Sequence, residues 1–312
     1  MQFSGDPFDT SMKFLLRILV SLYDRTVCVL GMLVFAAVFL SWSLLALVLR
    51  FILPEKIGTA LGRAYIMAGF RFCLACLSLS GRFHFDLSEL DALRKEKSLI
   101  IAGNHPSLWD VVLIISRLPD VACVMKAELV NNLFLGGGAR LARYIRNESP
   151  RQMITQAVQD LQRGSHLLLF PEGTRTVQAP INPLKGSIAV ISSRAGASVQ
   201  TVFIETESGF LTKEWALMQW PVLPMSYRVR VGRRFAPSRG SAAFIAELEQ
   251  YFVEELSAAH ALTHASSQAS SLSSPGAPST DSEKVPATML AKAQARAQGN
   301  SQDNVQNSAL AE

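Results

Sequence analysis

His105 stands five residues before Asp110 in the stretch "NHPSLWD", directly after the apolar run Leu99-Ile100-Ile101-Ala102. Imidazole is the side chain that changes charge near neutral pH. A carboxylate beside it can hold one tautomer and steady the cation, so the pair is suited to removing a proton from a reacting group. The same residues admit a plainer reading. Ser107-Leu108-Trp109-Asp110 has the S-x-x-D form of a helix capping box, and Pro106 suits a first helical turn. Both readings stay open at this stretch alone.

A second stretch, "FPEGTR" from Phe170 to Arg175, follows the apolar run that starts at His166. Gly173 permits close backbone approach to a ligand, and the Arg175 guanidinium is a planar fork suited to phosphate. Taken singly, this is also an ordinary turn with a salt-bridged arginine. The order and spacing of the two stretches together resemble those of the glycerolipid acyltransferases related to 1-acylglycerol-3-phosphate acyltransferase. That family's first motif is H-x-x-x-x-D and its third is an F-P-E-G-T-R block. The resemblance covers Ile100 to Ile204, about a third of the chain. It is supported by "VMKAEL" at Val124 to Leu129 and "PLKGS" at Pro183 to Ser187. Two departures stand out. Arg146 in Tyr144-Ile145-Arg146-Asn147 comes one place earlier than the family's second-motif arginine. The run from Val199 to Ile204 lacks both prolines of the fourth motif.

The resemblance implies an α/β fold with a mixed sheet flanked by helices, like that of glycerol-3-phosphate acyltransferase, and an N-terminal membrane-anchoring helix segment. It implies transfer of a fatty acyl group from acyl-CoA or acyl-carrier protein to the free hydroxyl of lysophosphatidate. His105 would be the base and Asp110 its orienting acid, with the substrate hydroxyl in the place a serine takes in a protease triad. No acyl-enzyme is then needed, and the sequence has no G-x-S-x-G elbow. Glu172, Gly173, Thr174 and Arg175 would hold the acceptor's glycerol phosphate, with Arg146 and Lys185 as further contacts. The expected partners are a membrane lipid acceptor, the acyl donor and the membrane itself. The expected setting is a bacterial inner membrane with the catalytic domain on the cytoplasmic face. No cofactor beyond the donor is expected. Acceptors kept open are another lysolipid or a specialised glycolipid. From other classes, a thioester or lipid hydrolase and a membrane adaptor working through its tail also stay open.

The rest of the chain must position these residues. Val27 to Leu49 carries no charge and exceeds the roughly 20 residues that cross ~30 Å of hydrocarbon, so it reads as membrane-associated, spanning or re-entrant. Ala64 to Leu79 is also apolar but interrupted by Arg71, which favours a helix lying at the interface or packed on the domain. Beyond it strand and helix signals alternate. Strands are expected over Ser98–Ala102, Val121–Met125, His166–Phe170 and Val199–Ile204, and an edge strand over Tyr227–Val231. Helices are expected over Arg151–Arg163, with Ser149 as N-cap, over Ile188–Arg194 and over Phe244–Leu256; Gly136-Gly137-Gly138 reads as a flexible turn. The resulting division is 1–60 anchor, 61–260 catalytic domain and 261–312 disordered tail, the last being poor in apolar residues.

A net charge of +5 suits anionic partners. Nucleic acid is not expected, because the arginines at 140, 143, 146 and 151 lack interleaved aromatics or a recognisable binding module. Cys28, Cys73, Cys76 and Cys123 sit in apolar surroundings, which suits packing rather than disulfides or metal. No metal site is expected. His84, His166, His260 and His264 pair with nothing in a motif and read as packing or surface residues.

Overall fold

The computed structural model describes residues 7–216, 219–239 and 242–272. The chain divides into two units, Met1–Ala261 and Leu262–Glu312. Everything below concerns the first, apart from the end of the last helix. The helices are α1 (Pro7–Ile52), α2 (Glu55–Leu79), α3 (Trp109–Ile115), α4 (Ala127–Asn131), α5 (Leu133–Leu141), α6 (Pro150–Gln162), α7 (Ser187–Ala195) and α8 (Ala242–Leu272). The strands are β1 (Phe83–Asp86), β2 (Ile100–Gly103), β3 (Val121–Met125), β4 (Ile145–Arg146), β5 (His166–Leu169), β6 (Val199–Glu205) and β7 (Met225–Phe235).

The strands form one seven-stranded sheet in the order β1-β7-β6-β2-β5-β3-β4. All neighbours are parallel except β6 and β7, so β7 and its parallel partner β1 run against the other five. Side chains alternate across a strand, and β2 shows the result. Ile101 joins a core with Cys73 and Leu77 of α2 and Leu113 and Ile114 of α3. Ile100 and Ala102 join a second core with Met153 of α6, Ile188 of α7 and Phe252 of α8. Helices therefore cover both faces, as a largely parallel sheet requires. Parallel strands also bring their C-terminal ends to one edge, where the loops after β2 and β5 can meet.

Several expectations are corrected by this topology. Tyr227–Val231 lies within β7, which is internal: its partners on either side are β1 and β6. Its polar alternation arises because the residues between its buried ones carry ion pairs, such as Arg230 with Glu205. Gly136-Gly137-Gly138 is helical, inside α5. A Cβ at Gly137 would lie 2.1 Å from the Ser43 carbonyl oxygen, and one at Gly138 would lie 2.8 Å from the Trp42 ring. The glycines there serve close helix packing against α1. Helix α8 runs on to Leu272, past the expected domain end at residue 260, and the rest of the expected tail lies outside the described residues. Ser149 is the N-cap of α6 as expected, yet makes no side-chain capping bond.

The charge-free segment is the C-terminal half of α1, which turns at Leu53-Pro54 into α2. The two helices pair antiparallel. Trp42 stacks on Tyr65 at 3.8 Å, the Tyr23 hydroxyl donates to the Ser80 carbonyl at 2.8 Å, and Arg82 grips Asp24 through two bonds of 2.6 and 2.9 Å. Both helices are long and apolar enough to cross a membrane. Helix α2 is fixed to the domain by Arg63, whose guanidinium is buried. It donates to the Ala142 carbonyl (3.1 Å), Asp120 (2.7 Å), Ser165 (2.7 Å) and Asp160 (3.3 Å). Arg63→Met strands the buried Asp160 carboxylate and is expected to cost about 3 kcal/mol of stability in denaturant unfolding. Adding Asp160→Leu should restore part of that loss, and equal stability of wild type and single variant would show the network to be dispensable.

Candidate active site

His105 lies two residues beyond the end of β2, and its ring is oriented from two sides. Nδ1 is 2.8 Å from Asp110 Oδ2, and the ring stacks on Phe170, just past β5, with centroids 3.9 Å apart and planes at 14°. Asp110 is fully buried in the first turn of α3. The same Oδ2 accepts the Ser107 backbone N–H at 2.8 Å, while Ser107 Oγ accepts the Trp109 N–H at 3.2 Å. The N-cap of α3 is Leu108 rather than Ser107, and the Ser107–Asp110 bonds lie just ahead of it. The oxygen that accepts the Ser107 N–H at the entry to α3 is the oxygen that meets the histidine.

An ionised Asp110 accepts from Nδ1–H and leaves Nε2 as the unprotonated nitrogen, the form a general base needs. Burial pushes the Asp110 carboxyl above its ordinary range, against the lowering pull of the His105 and Ser107 bonds. Its second oxygen, Oδ1, has no hydrogen-bond partner among the described residues. The Tyr227 hydroxyl is raised to about 12 by its own burial and by the Asp110 charge. Burial therefore works against the anionic form of Asp110, which the His105 and Ser107 bonds favour.

The loop after β5 is joined to the His105 loop by Glu172, which is 2% exposed. Oε1 accepts the His105 backbone N–H (2.9 Å) and the Thr176 hydroxyl (2.8 Å), and Oε2 accepts the Asn182 N–H (3.0 Å). Thr176 N–H returns a bond to the His105 carbonyl at 2.7 Å. Glu172, expected as an acceptor contact, is thus engaged by the chain's own donors. Arg175 likewise donates to the carbonyls of Leu211 (2.8 Å) and Thr212 (2.6 Å). It pins the loop between β6 and β7, which Ser107 also holds through the Phe210 carbonyl at 2.9 Å.

Gly173 and Thr174 are exposed at the rim, and Gly173 has φ +71°, which favours glycine. The Lys185 side chain crosses that glycine so closely that a Cβ would lie 2.5 Å from its Nζ. The Lys185 ammonium therefore lies against the motif's turn. Arg146 is elsewhere, exposed at the end of β4, the outermost strand. Asn104, Phe170 and Asn182 were not singled out in the sequence, yet they position the site. The Asn104 amide bonds Ile204 of β6 in both directions, at 3.0 and 2.8 Å. Asn104 and Phe170 open the two quoted stretches, and that membership was the signal that could have found them. The expected packing role of His166 agrees with its place in β5, where the buried Nδ1 accepts the Leu99 N–H at 3.3 Å and burial lowers the imidazole's proton affinity. Among the described residues no group of three or more His, Cys, Asp or Glu is placed to hold a metal ion.

Residues 84–205 match the model of the Acyltransferase family. A 1-acyl-sn-glycerol-3-phosphate acyltransferase from Pseudomonas aeruginosa is 24% identical over 215 residues, which are 67% of this chain and 80% of that protein. These likenesses support a lysophosphatidic acid acyltransferase-like family. The fold is also that of PlsC, the 1-acyl-sn-glycerophosphate acyltransferase from Thermotoga maritima. There the TM-score is 0.51 at 19% identity, covering 78% of this chain and 97% of that one. The matched span runs from β1 to the end of β6 and so contains both motif loops.

Asp110→Asn separates the two duties of the carboxylate. A raised acid pKa means that burying the charge costs stability once pH exceeds the unfolded value of about 3.9. At neutral pH the variant should therefore melt at or above the wild-type temperature, while acyl transfer falls on the order of 10³-fold or more. In the wild type, transfer should fall off as pH drops through a value above that ordinary carboxylate range. Wild-type turnover in the variant would reduce Asp110 to a helix cap. Arg175→Ala should loosen the loop between β6 and β7, read as faster limited proteolysis within residues 206–224 at little change in melting temperature.

Proposed function

We propose that this acyltransferase moves a fatty acyl group from acyl-CoA or acyl-carrier protein to the free hydroxyl of lysophosphatidate, giving phosphatidate without an acyl-enzyme. The observation that carries the reading is the 2.8 Å contact from Asp110 Oδ2 to His105 Nδ1, at the edge where the loops after β2 and β5 meet. In the proposed step Nε2 takes the proton of the acceptor hydroxyl as its oxygen attacks the thioester carbonyl. The thiolate leaves as the tetrahedral centre collapses, and the histidine returns its proton to that sulfur. Asp110 stays ionised and stabilises the imidazolium between the two transfers. Gly173 and Thr174 at the rim, with the Lys185 ammonium beside them, are the proposed contacts for the acceptor's glycerol phosphate. The name of the Pseudomonas relative supports the choice of acceptor.

One observation favours a second acceptor class, another lysolipid or a glycolipid. Arg175, the cation expected on phosphate, is committed to two backbone carbonyls. The two apolar helices support action at a membrane, with α1 and α2 as its anchor.

The test is mass spectrometry of products from membranes given a mixed acyl-CoA and acyl-carrier-protein pool with a panel of lyso-acceptors. A phosphatidate signal that drops at least about 10³-fold in a folded His105→Ala variant is the expected result. A different diacyl product would keep the reaction and change the acceptor. Free fatty acid released despite ample acceptor would instead make the protein a hydrolase.

A further inference from the structure

Away from the His105 loop, a cavity of 190 Å³ opens at the outer flank of the sheet. It is lined by four arginines: Arg50 from the last turn of α1, Arg140 from α5, and Arg143 and Arg146 around β4. The carboxylates nearby do not balance them. Asp160, the acid in the lining, is held by Arg63, and Glu55 pairs with Arg143 and Arg163. Arg50, Arg140 and Arg146 have no carboxylate partner among the described residues. Arg140 Nε and the Tyr144 hydroxyl, both from lining side chains, are buried without hydrogen-bond partners among the described residues. Guanidinium groups gathered in this way repel one another unless an anion joins them.

The position indicates which anion. In the sheet β4 is three strand spacings from β2, about 14 Å at ~4.8 Å each. An acceptor whose hydroxyl faces His105 carries its phosphate only a few covalent bonds from that hydroxyl, so its own phosphate falls short of the cavity. Directly after Arg50 come Phe51 and Ile52, which are 88% and 67% exposed at the tip of the helical hairpin. Apolar tip and basic cavity side by side match an amphiphile with an anionic head. We infer that this cavity binds the phosphate of an anionic glycerophospholipid of the surrounding bilayer, a molecule separate from those being converted.

The experiment uses the full-length protein, delipidated in neutral detergent and titrated with dioleoylphosphatidylglycerol or dioleoylphosphatidylcholine, following melting temperature and retained lipid. A ligand of the native state raises the melting temperature, so phosphatidylglycerol should do so and phosphatidylcholine should not. Arg50→Gln with Arg146→Gln should weaken the phosphatidylglycerol response about tenfold. Without lipid this variant should melt at or above the wild type, because like charges have been removed; Arg50→Lys with Arg146→Lys should keep most of the response. An unchanged phosphatidylglycerol response in the glutamine variant overturns the inference. So does displacement of the bound lipid by lysophosphatidate or by coenzyme A, which would return the cavity to a substrate. No turnover is read, so the outcome does not depend on the acyl-transfer reading.

Discussion

A buried carboxylate with nowhere to send its charge organises this molecule at its centre. Glu172 is 2% exposed and is tolerated only because the His105 backbone, Thr176 and the Asn182 backbone all donate to it. Those donors come from the loop after β2 and from the segment after β5, so satisfying one anion fixes two loops in register with each other. The placement of His105 against Phe170 follows, since each is carried by one of the joined loops. Asp110 repeats the device on a smaller scale, one oxygen serving both the helix start and the imidazole. Buried polar groups of this kind specify a single arrangement because a partly satisfied one costs so much.

That logic explains what the sequence disclosed and what it withheld. The His105–Asp110 pair was legible because both residues belong to one turn and the next, where spacing determines geometry. Strands β2, β3, β5 and β6 were legible as apolar runs covered on both faces. The loop union made by Glu172 was not, because the donor that joins the two loops is the backbone N–H of His105, 67 positions earlier, and a backbone donor carries no sequence signature. Strand β4 escaped notice because two residues are too few to display a period, and β1 because Phe83-His84-Phe85-Asp86 is not the apolar run that marked the equally short β2 and β5. The glycine triplet misled because a helix that must approach another closely uses the same residue as a turn does. Its partner surface, Trp42 and Ser43 of α1, lies some ninety positions earlier.

The helical hairpin is joined to the sheet by polar contacts at widely separated points rather than by apolar packing alone. Arg63 binds α2 beneath β3 and β5, and Asp24 binds Arg82 at the opposite end, next to β1. Two anchors far apart along one hairpin resist rotation as well as separation. The exposed apolar side chains of α1, among them Phe14, Leu15 and Leu19, therefore keep a fixed bearing relative to the loops at the sheet edge.

Both outermost strands, β1 and β4, are short. An open sheet presents unpaired N–H and C=O groups at its borders, and a long border strand can recruit a stranger's backbone. Here one border is four residues long and the other two, the latter ending on exposed Arg146. A newly made copy exposes apolar side chains on its helices, but its sheet has little with which to start a fibril.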